Sequence, residues 1–202
     1  MKLGPRYKIC KRLGSSIFEK CQTKAFALSR ERSLANKKKG RRNISDYNRQ
    51  LIEKQKLRLT YGLTEKQFSS YVTKALESHE NPQGTLFALL ESRLDAVAYR
   101  MGLASTRRMA RQMVSHGHLL VNGKRVTVPS YQVKAGDSVS VREGSKGSAL
   151  FQVLPETLKE FRWASWVSFD PSTFEGKLQS APAFEAQDTT ADIGAVFEYY
   201  TR

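Results

Sequence analysis

Between Leu90 and Asp137 the helix-capping, turn and periodicity signals stand so close together that few local structures satisfy all of them. Ser105 can cap a helix whose side chains divide by the 3.6-residue period. Arg107, Arg108, Arg111 and Gln112 fall on one side and Met109, Ala110 and Met113 on the other. One face therefore packs and the other meets anions. Gly117 suits the left-handed residue just past a helix end, which predicts a helix stopping at His116. His118 to Val121 then reads as a strand, Asn122-Gly123 as a type I′ turn and Lys124 to Val126 as the returning strand. A further turn at Lys134 to Asp137 leads into the alternating segment Ser138 to Val141. The expected module is a helix packed on a small antiparallel sheet.

Charge narrows the partner. The 202-residue chain carries a formal charge of +15, which is a poor match to an ordinary enzyme and a good one to a polyanion. Residues 1–60 hold 18 Lys and Arg against 4 acidic residues, whereas residues 151–202 hold 4 against 8. The excess is thus concentrated at the N-terminus, where Lys37-Lys38-Lys39-Gly40-Arg41-Arg42 alone fits a solvated tail or a nuclear address and, ahead of a module that meets anions, reads better as part of a phosphate-contacting arm. No apolar run approaches the roughly 18–20 residues a membrane span needs. Met1 to Arg6 lack a signal peptide's apolar core, so a soluble, unprocessed protein with no membrane partner is expected. Cys10 and Cys21 are too few for a disulfide framework, and two free thiols are expected. A structural zinc needs four ligands, and His79, His116 and His118 lie far from the cysteines, so no metal or cofactor is expected.

Along the chain, residues 1–44 show little apolar periodicity and read as an extended basic arm that orders on its partner. Thr64 to Gln67 is a capping box ahead of Phe68, Tyr71, Val72, Ala75 and Leu76 at helical spacing. Asn81-Pro82-Gln83-Gly84 predicts a break before Thr85, which can cap a helix carrying Leu86, Leu89 and Leu90. Further on, Pro155 to Phe161 looks briefly helical. Trp166 to Phe169 and Gly176 to Leu178 look like strands around a turn at Asp170 to Ser172.

The segments Leu90-Glu-Ser-Arg-Leu-Asp95, Tyr99-Arg-Met-Gly102, Ser105-Thr-Arg107, Ala110-Arg-Gln112, Ser115-His-Gly-His118 and Val121-Asn-Gly-Lys-Arg125 closely resemble the RNA-binding domain of the small-subunit ribosomal protein four family. The resemblance continues through Ser45-Asp46-Tyr47, Leu51 to Lys56, Tyr61-Gly62-Leu63, Ala191 to Ile193 and Glu198 to Arg202, nearly the whole chain. It implies an α+β fold: a helical domain with an inserted RNA-binding module of helices on a small antiparallel sheet, plus the extended basic arm. The implied divisions are the arm at 1–44, the helical domain at 45–90 completed by about 185–202, and the RNA-binding module with its following strands at 91–184. The implied function is that of a structural component of the small ribosomal subunit. It would be a primary binder of ribosomal RNA that recognises a multi-helix junction in the 5′ domain and nucleates assembly. It would lie near the channel through which mRNA enters, beside small-subunit proteins three and five.

Folded RNA hides its base edges in a deep, narrow groove and shows phosphates and ribose hydroxyls. The candidate contacts follow from that chemistry. In the module they are Arg93, Ser105, Thr106, Arg107, Arg108, Arg111, Gln112, His116, His118, Asn122, Lys124 and Arg125. Upstream they are Arg6, Arg12, Lys37, Lys38, Lys39, Arg41, Arg42, Arg49, Lys54, Lys56 and Arg58. Plainer readings stand beside these: a merely solvated face for the helix arginines, a helix-end role for His116, and an internal Arg93–Asp95 pair. In the resembled family the region of Arg41, Arg42 and Arg49 lines the mRNA path, and a purely ribosomal-RNA role is equally open.

An enzyme is the main alternative, because the same module occurs fused to pseudouridine synthases and tyrosyl-tRNA synthetases. Ser92 to Asp95 resembles the synthase motif that carries a catalytic aspartate, but its downstream threonine and glycine are replaced by Ala98 and Arg100, and synthetase signatures are absent. A free-standing RNA chaperone or translational regulator is the second alternative. The chain lacks the Pro-Gly-Gln-His-Gly stretch of bacterial members, and its region from Gln179 to Asp188 is acidic. Gly4 to Arg6, Arg12 to Gly14, Tyr61 to Glu65 and Tyr199-Tyr200 are similar to plastid-encoded members. A plastid (chloroplast) ribosome is therefore favoured over a bacterial cytoplasmic one.

Overall fold

A computed structural model describes residues 4–35, 45–78, 80–152, 154, 158, 161–184 and 189–202. The chain is α+β and divides into two compact units, one of Met1–Gln83 with Glu185–Arg202 and one of Gly84–Phe184.

The first unit is helical. Helix α1 spans Arg6–Leu13 and ends on left-handed Gly14; a single 3-10 turn follows at Glu19–Cys21, then α2 at Lys24–Ala35. Residues 6–35 thus fold, where an extended arm without a core was expected. Cys10, Leu13, Phe18, Cys21, Phe26 and Leu59 make the missing core. These apolar residues are too irregularly spaced to show as a period, yet the turn gathers them. It also brings the Cα atoms of Cys10 and Cys21 to 6.7 Å, and the two are disulfide-bonded. The expectation of free thiols is thereby corrected. Sequence alone could not supply the fold-back that makes the pair neighbours.

Helix α3, Asp46–Thr60, is capped by Ser45, whose hydroxyl accepts the Asn48 N–H. Helix α4, Glu65–Leu76, opens on the Thr64–Gln67 capping box and buries Phe68, Val72 and Ala75. The last helix of the chain, which packs on α3, starts from Asp192: its carboxylate accepts the Ala195 N–H, and its own N–H donates to Glu53 at 3.0 Å. Gln50 donates to Glu198 at 2.8 Å, joining the two helices from their sides.

Helix α5 spans Pro82–Glu91, and its residues from Gly84 onward open the second unit. It begins at Pro82 rather than after Thr85, because proline's fixed φ suits a first helical turn that needs no N–H donor. Helix α6 is Leu94–Arg100, its first N–H groups donating to the carbonyls of Tyr131 and Pro129. Helix α7 is Arg107–Ser115. Strands β1 (Leu119–Val121), β2 (Lys124–Arg125), β3 (Ser138–Val141), β4 (Val167–Asp170) and β5 (Glu175–Leu178) form one antiparallel sheet in the order β2-β1-β3-β5-β4. Two single turns, α8 (Glu143–Lys146) and α9 (Ala149–Gln152), follow β3, and α10 (Ile193–Tyr200) is the closing helix of the first unit. The period-two alternation holds in β3, where Val139 and Val141 are buried and Ser138 and Ser140 are half-exposed. Val139 and Val141 share one buried core with Val97, Met101, Ala110, Met113 and Val114. The helix expected at Pro155 to Phe161 falls mostly outside the described residues.

Candidate nucleic-acid interface

Helix α7 is positioned by its apolar side, since Ala110, Met113 and Val114 are buried and fix which side chains face out. Thr106, not Ser105, caps it: the Thr106 hydroxyl accepts the Met109 N–H at 3.1 Å. Two adjacent hydroxyls satisfy the same local rule, and the helix begins one residue later than Ser105 would set it. Ser105 instead directs its hydroxyl to the Met109 sulfur at 3.6 Å. The helix ends at Ser115 with His116 as its C-cap, and Gly117 follows at φ 72°. There the Arg125 side chain lies against the glycine and donates to the His116 carbonyl at 3.1 Å, closing the helix end from the hairpin.

Arg108, Gln112 and His116 are exposed along one ridge of α7, with Ser105 at its foot. On the adjoining ridge Arg107 and Arg111, one turn apart, each reach back to an acid. Arg107 Nη2 lies 2.8 Å from Glu91 Oε1; Arg111 donates through Nε and Nη2 to Asp95 Oδ2 at 2.9 and 2.7 Å. Glu91 is 0% exposed and also receives Arg100; Asp95 is 5% exposed and also receives Arg93. Arg107 further sits over the Tyr99 ring, 4.7 Å from its centroid. Arg93 is 2% exposed, so it belongs to the scaffold and not to the surface offered to RNA, which is the plainer reading of the Arg93–Asp95 pair. The acid behind Arg107, Glu91, escaped the sequence reading. Its only signal is a lone carboxylate ending an otherwise apolar helix face.

The hairpin adds exposed Lys124 and Arg125. Asn122 (φ 50°) and Gly123 (φ 76°) adopt the positive-φ turn. Asn122 was expected to contact RNA, but its amide ties two turns together: it donates to Asp137 at 2.8 Å and accepts the Ser138 N–H at 2.9 Å. That hydrogen bond from Asn122, helped by the Lys134 N–H, holds the Asp137 carboxyl below the ordinary aspartate pKa. His118 hydrogen-bonds the Ser145 hydroxyl at 3.0 Å. Burial first, then the charges of His116, Arg142 and Arg125, push its pKa below the ordinary value, which favours the neutral imidazole.

In the first unit, Arg12 and Arg49 are exposed and Arg6 lies over the Phe18 ring at 5.8 Å. Lys56 pairs with Glu53 at 2.6 Å, and Arg58 with Gln55 at 2.7 Å and Glu65 at 3.4 Å. Lys54 corrects its expectation most clearly. It is 5% exposed, 2.7 Å from Glu65 and 4.3 Å from the Tyr199 ring centroid, a buried cation that ties α3 to α4 and α10. Lys37, Lys38, Lys39, Arg41 and Arg42, like His79, lie outside the described residues. Among the described residues no cluster of His, Cys, Asp and Glu groups could hold a metal ion, and no helix is long and apolar enough to cross a membrane.

Residues 2–91 match the ribosomal protein S4/S9 N-terminal domain, and residues 92–139 match the S4 domain. The chain is also 45% identical over 204 residues to the small ribosomal subunit protein uS4 of Ligilactobacillus salivarius, with 98% of each chain covered. The chain belongs to the uS4 family. Its likeness to uS4 of Leuconostoc citreum is 43% over 204 residues, covering 98% of this chain and 97% of that one. Against uS4 of Chromobacterium violaceum it is 42% over 204 residues, covering 99% and 98%. Membership of a ribosomal-protein family removes the enzyme reading. Asp95, its would-be catalytic group, is sequestered between Arg93 and Arg111. These relatives are bacterial proteins, so the plastid origin favoured from sequence gains no support from them.

Proposed function

We propose that this uS4-family chain binds small-subunit ribosomal RNA as a structural component of the subunit, chiefly through α7 and the hairpin. The observation that carries the reading is the two-sided α7. One side is locked into the core, while Arg108 and Gln112 stand in solvent beside the partly exposed Arg107 and Arg111 and the exposed Lys124 and Arg125. Forked guanidinium groups suit phosphate oxygens, and Gln112 and His116 can exchange hydrogen bonds with ribose hydroxyls and unpaired bases. In the first unit, Arg6, Arg12 and Arg49 supply further cationic contacts. The preferred target is a multi-helix junction of the 5′ domain, whose converging phosphates offer more anions to forked guanidinium groups than a single duplex does. Binding of this kind would nucleate assembly. The same reading places the protein near the channel through which mRNA enters, beside small-subunit proteins three and five. A bacterial-type small subunit is the setting its relatives favour.

Filter binding of the purified protein to 5′-domain RNA, against an unrelated structured RNA of equal length across a salt series, tests this. Preference for the 5′ domain that survives moderate salt is the expected result. Equal affinities that collapse together with salt would mean charge alone drives binding, and a chaperone role would replace the proposal.

A further inference from the structure

We infer that Glu91 and Asp95 are positioning residues for RNA recognition: two buried carboxylates that hold the Arg107 and Arg111 guanidinium groups in the orientation the RNA meets. This rests on α7 being the RNA-binding face. Each acid is linked to a surface arginine and to a second arginine that braces it. Glu91 takes Arg100 at 2.8 and 3.2 Å beside Arg107 at 2.8 Å; Asp95 takes Arg93 at 3.0 and 2.8 Å beside Arg111 at 2.9 and 2.7 Å. The acids come from the end of α5 and the start of α6, and the surface arginines sit one turn apart on α7, so the lattice ties three helices. Both acids are out of solvent, while Arg107 and Arg111 keep 18% and 31% of their side-chain surface exposed.

A lone surface arginine samples many rotamers and loses that freedom when a phosphate fixes it. Here the lattice has already removed it. Guanidinium geometry is planar and forked, so a carboxylate bound along one edge also sets the plane of the whole group. An acid beneath an RNA-binding face otherwise looks like a liability, since it subtracts from the attraction for phosphate. That conflict makes the inference testable by sign. If the acids only weaken the field, removing one adds a positive charge and strengthens binding; if they position the arginines, removing one weakens binding despite the added charge.

The experiment uses the full chain and 5′-domain RNA at fixed salt, with thermal melts confirming that each variant is folded at the assay temperature. Arg108→Ala and Arg111→Ala report on the binding face itself. Glu91→Gln and Asp95→Asn are each expected to weaken binding about five- to tenfold. Combined with Arg107→Ala, Glu91→Gln should add less than about twofold, because its effect passes through Arg107. Asp95→Asn leaves the buried Arg93 without its carboxylate and could unfold the unit. The Glu91 cycle then decides, since Arg100 and Arg107 both reach solvent. Unchanged or tighter binding by the acid variants, with the arginine variants still weak, overturns this inference alone, as does full additivity in the cycle. Arginine variants that bind like the parent overturn the binding face and this inference with it.

Discussion

Asn122 shows how one side chain can serve a different end from the one its type suggests. Its amide bridges the hairpin turn to Asp137 and Ser138, so Asn122→Ala should cost about 1–2 kcal/mol of stability, read by urea denaturation, with little direct effect on RNA affinity. Asp137 has a folded pKa below its unfolded one. Its contribution is therefore complete above the ordinary aspartate pKa and disappears as pH falls through the lowered value. The Asn122→Ala penalty should accordingly shrink in strong acid, and NMR titration should find the Asp137 pKa raised in the variant. His118 has the same sign for a different reason. Its folded pKa lies below the ordinary histidine value, so the unfolded chain binds more protons and stability declines as pH drops below about 6.5. A His118→Phe variant should flatten the loss of stability as pH falls below the ordinary histidine pKa, measured by thermal melts.

At the scale of elements, the joint between α7 and β1 depends on one backbone conformation. Gly117 at φ 72° has the Arg125 guanidinium where a side chain would begin. Gly117→Ala should therefore cost about 1–2 kcal/mol in backbone strain alone, with a further penalty for displacing Arg125 from the helix end, read by denaturant unfolding. Helices α1 and α2 share a small core cross-linked by Cys10–Cys21 over 11 residues. Closing a loop of that size is worth about 2–3 kcal/mol in the chain-entropy view. Reduction should lower hydrogen-exchange protection across Arg6–Leu13 while the amides of α7 keep theirs.

For the whole molecule, the charge of +15 makes RNA affinity steeply dependent on salt, and Arg108→Ala should reduce the log–log slope by about 1. The paired signals that sequence carries are local ones, and they were legible. The Thr64–Gln67 box, the Asn122-Gly123 turn, the glycine past α7 and the alternation of Ser138 to Val141 each depend on neighbours within a few residues. Periodicity likewise separated the buried and solvent sides of α7. Long-range partners left no such trace. Arg107 and Arg111 look in sequence like a solvated basic face, yet each finds its acid 16 residues upstream, and Lys54 finds Glu65 and Tyr199 across two other helices. The small core of the first 35 residues and its disulfide depend on a fold-back that composition hides. What the sequence by itself determined is the family, the capped helices α4 and α7, the hairpin with the strand that follows it, and the cationic ridge, because caps, turns and period are enforced by short-range sterics and hydrogen bonding. Only the tertiary structure decided which cations face solvent and which are held inside, because that depends on where buried carboxylates meet them in space.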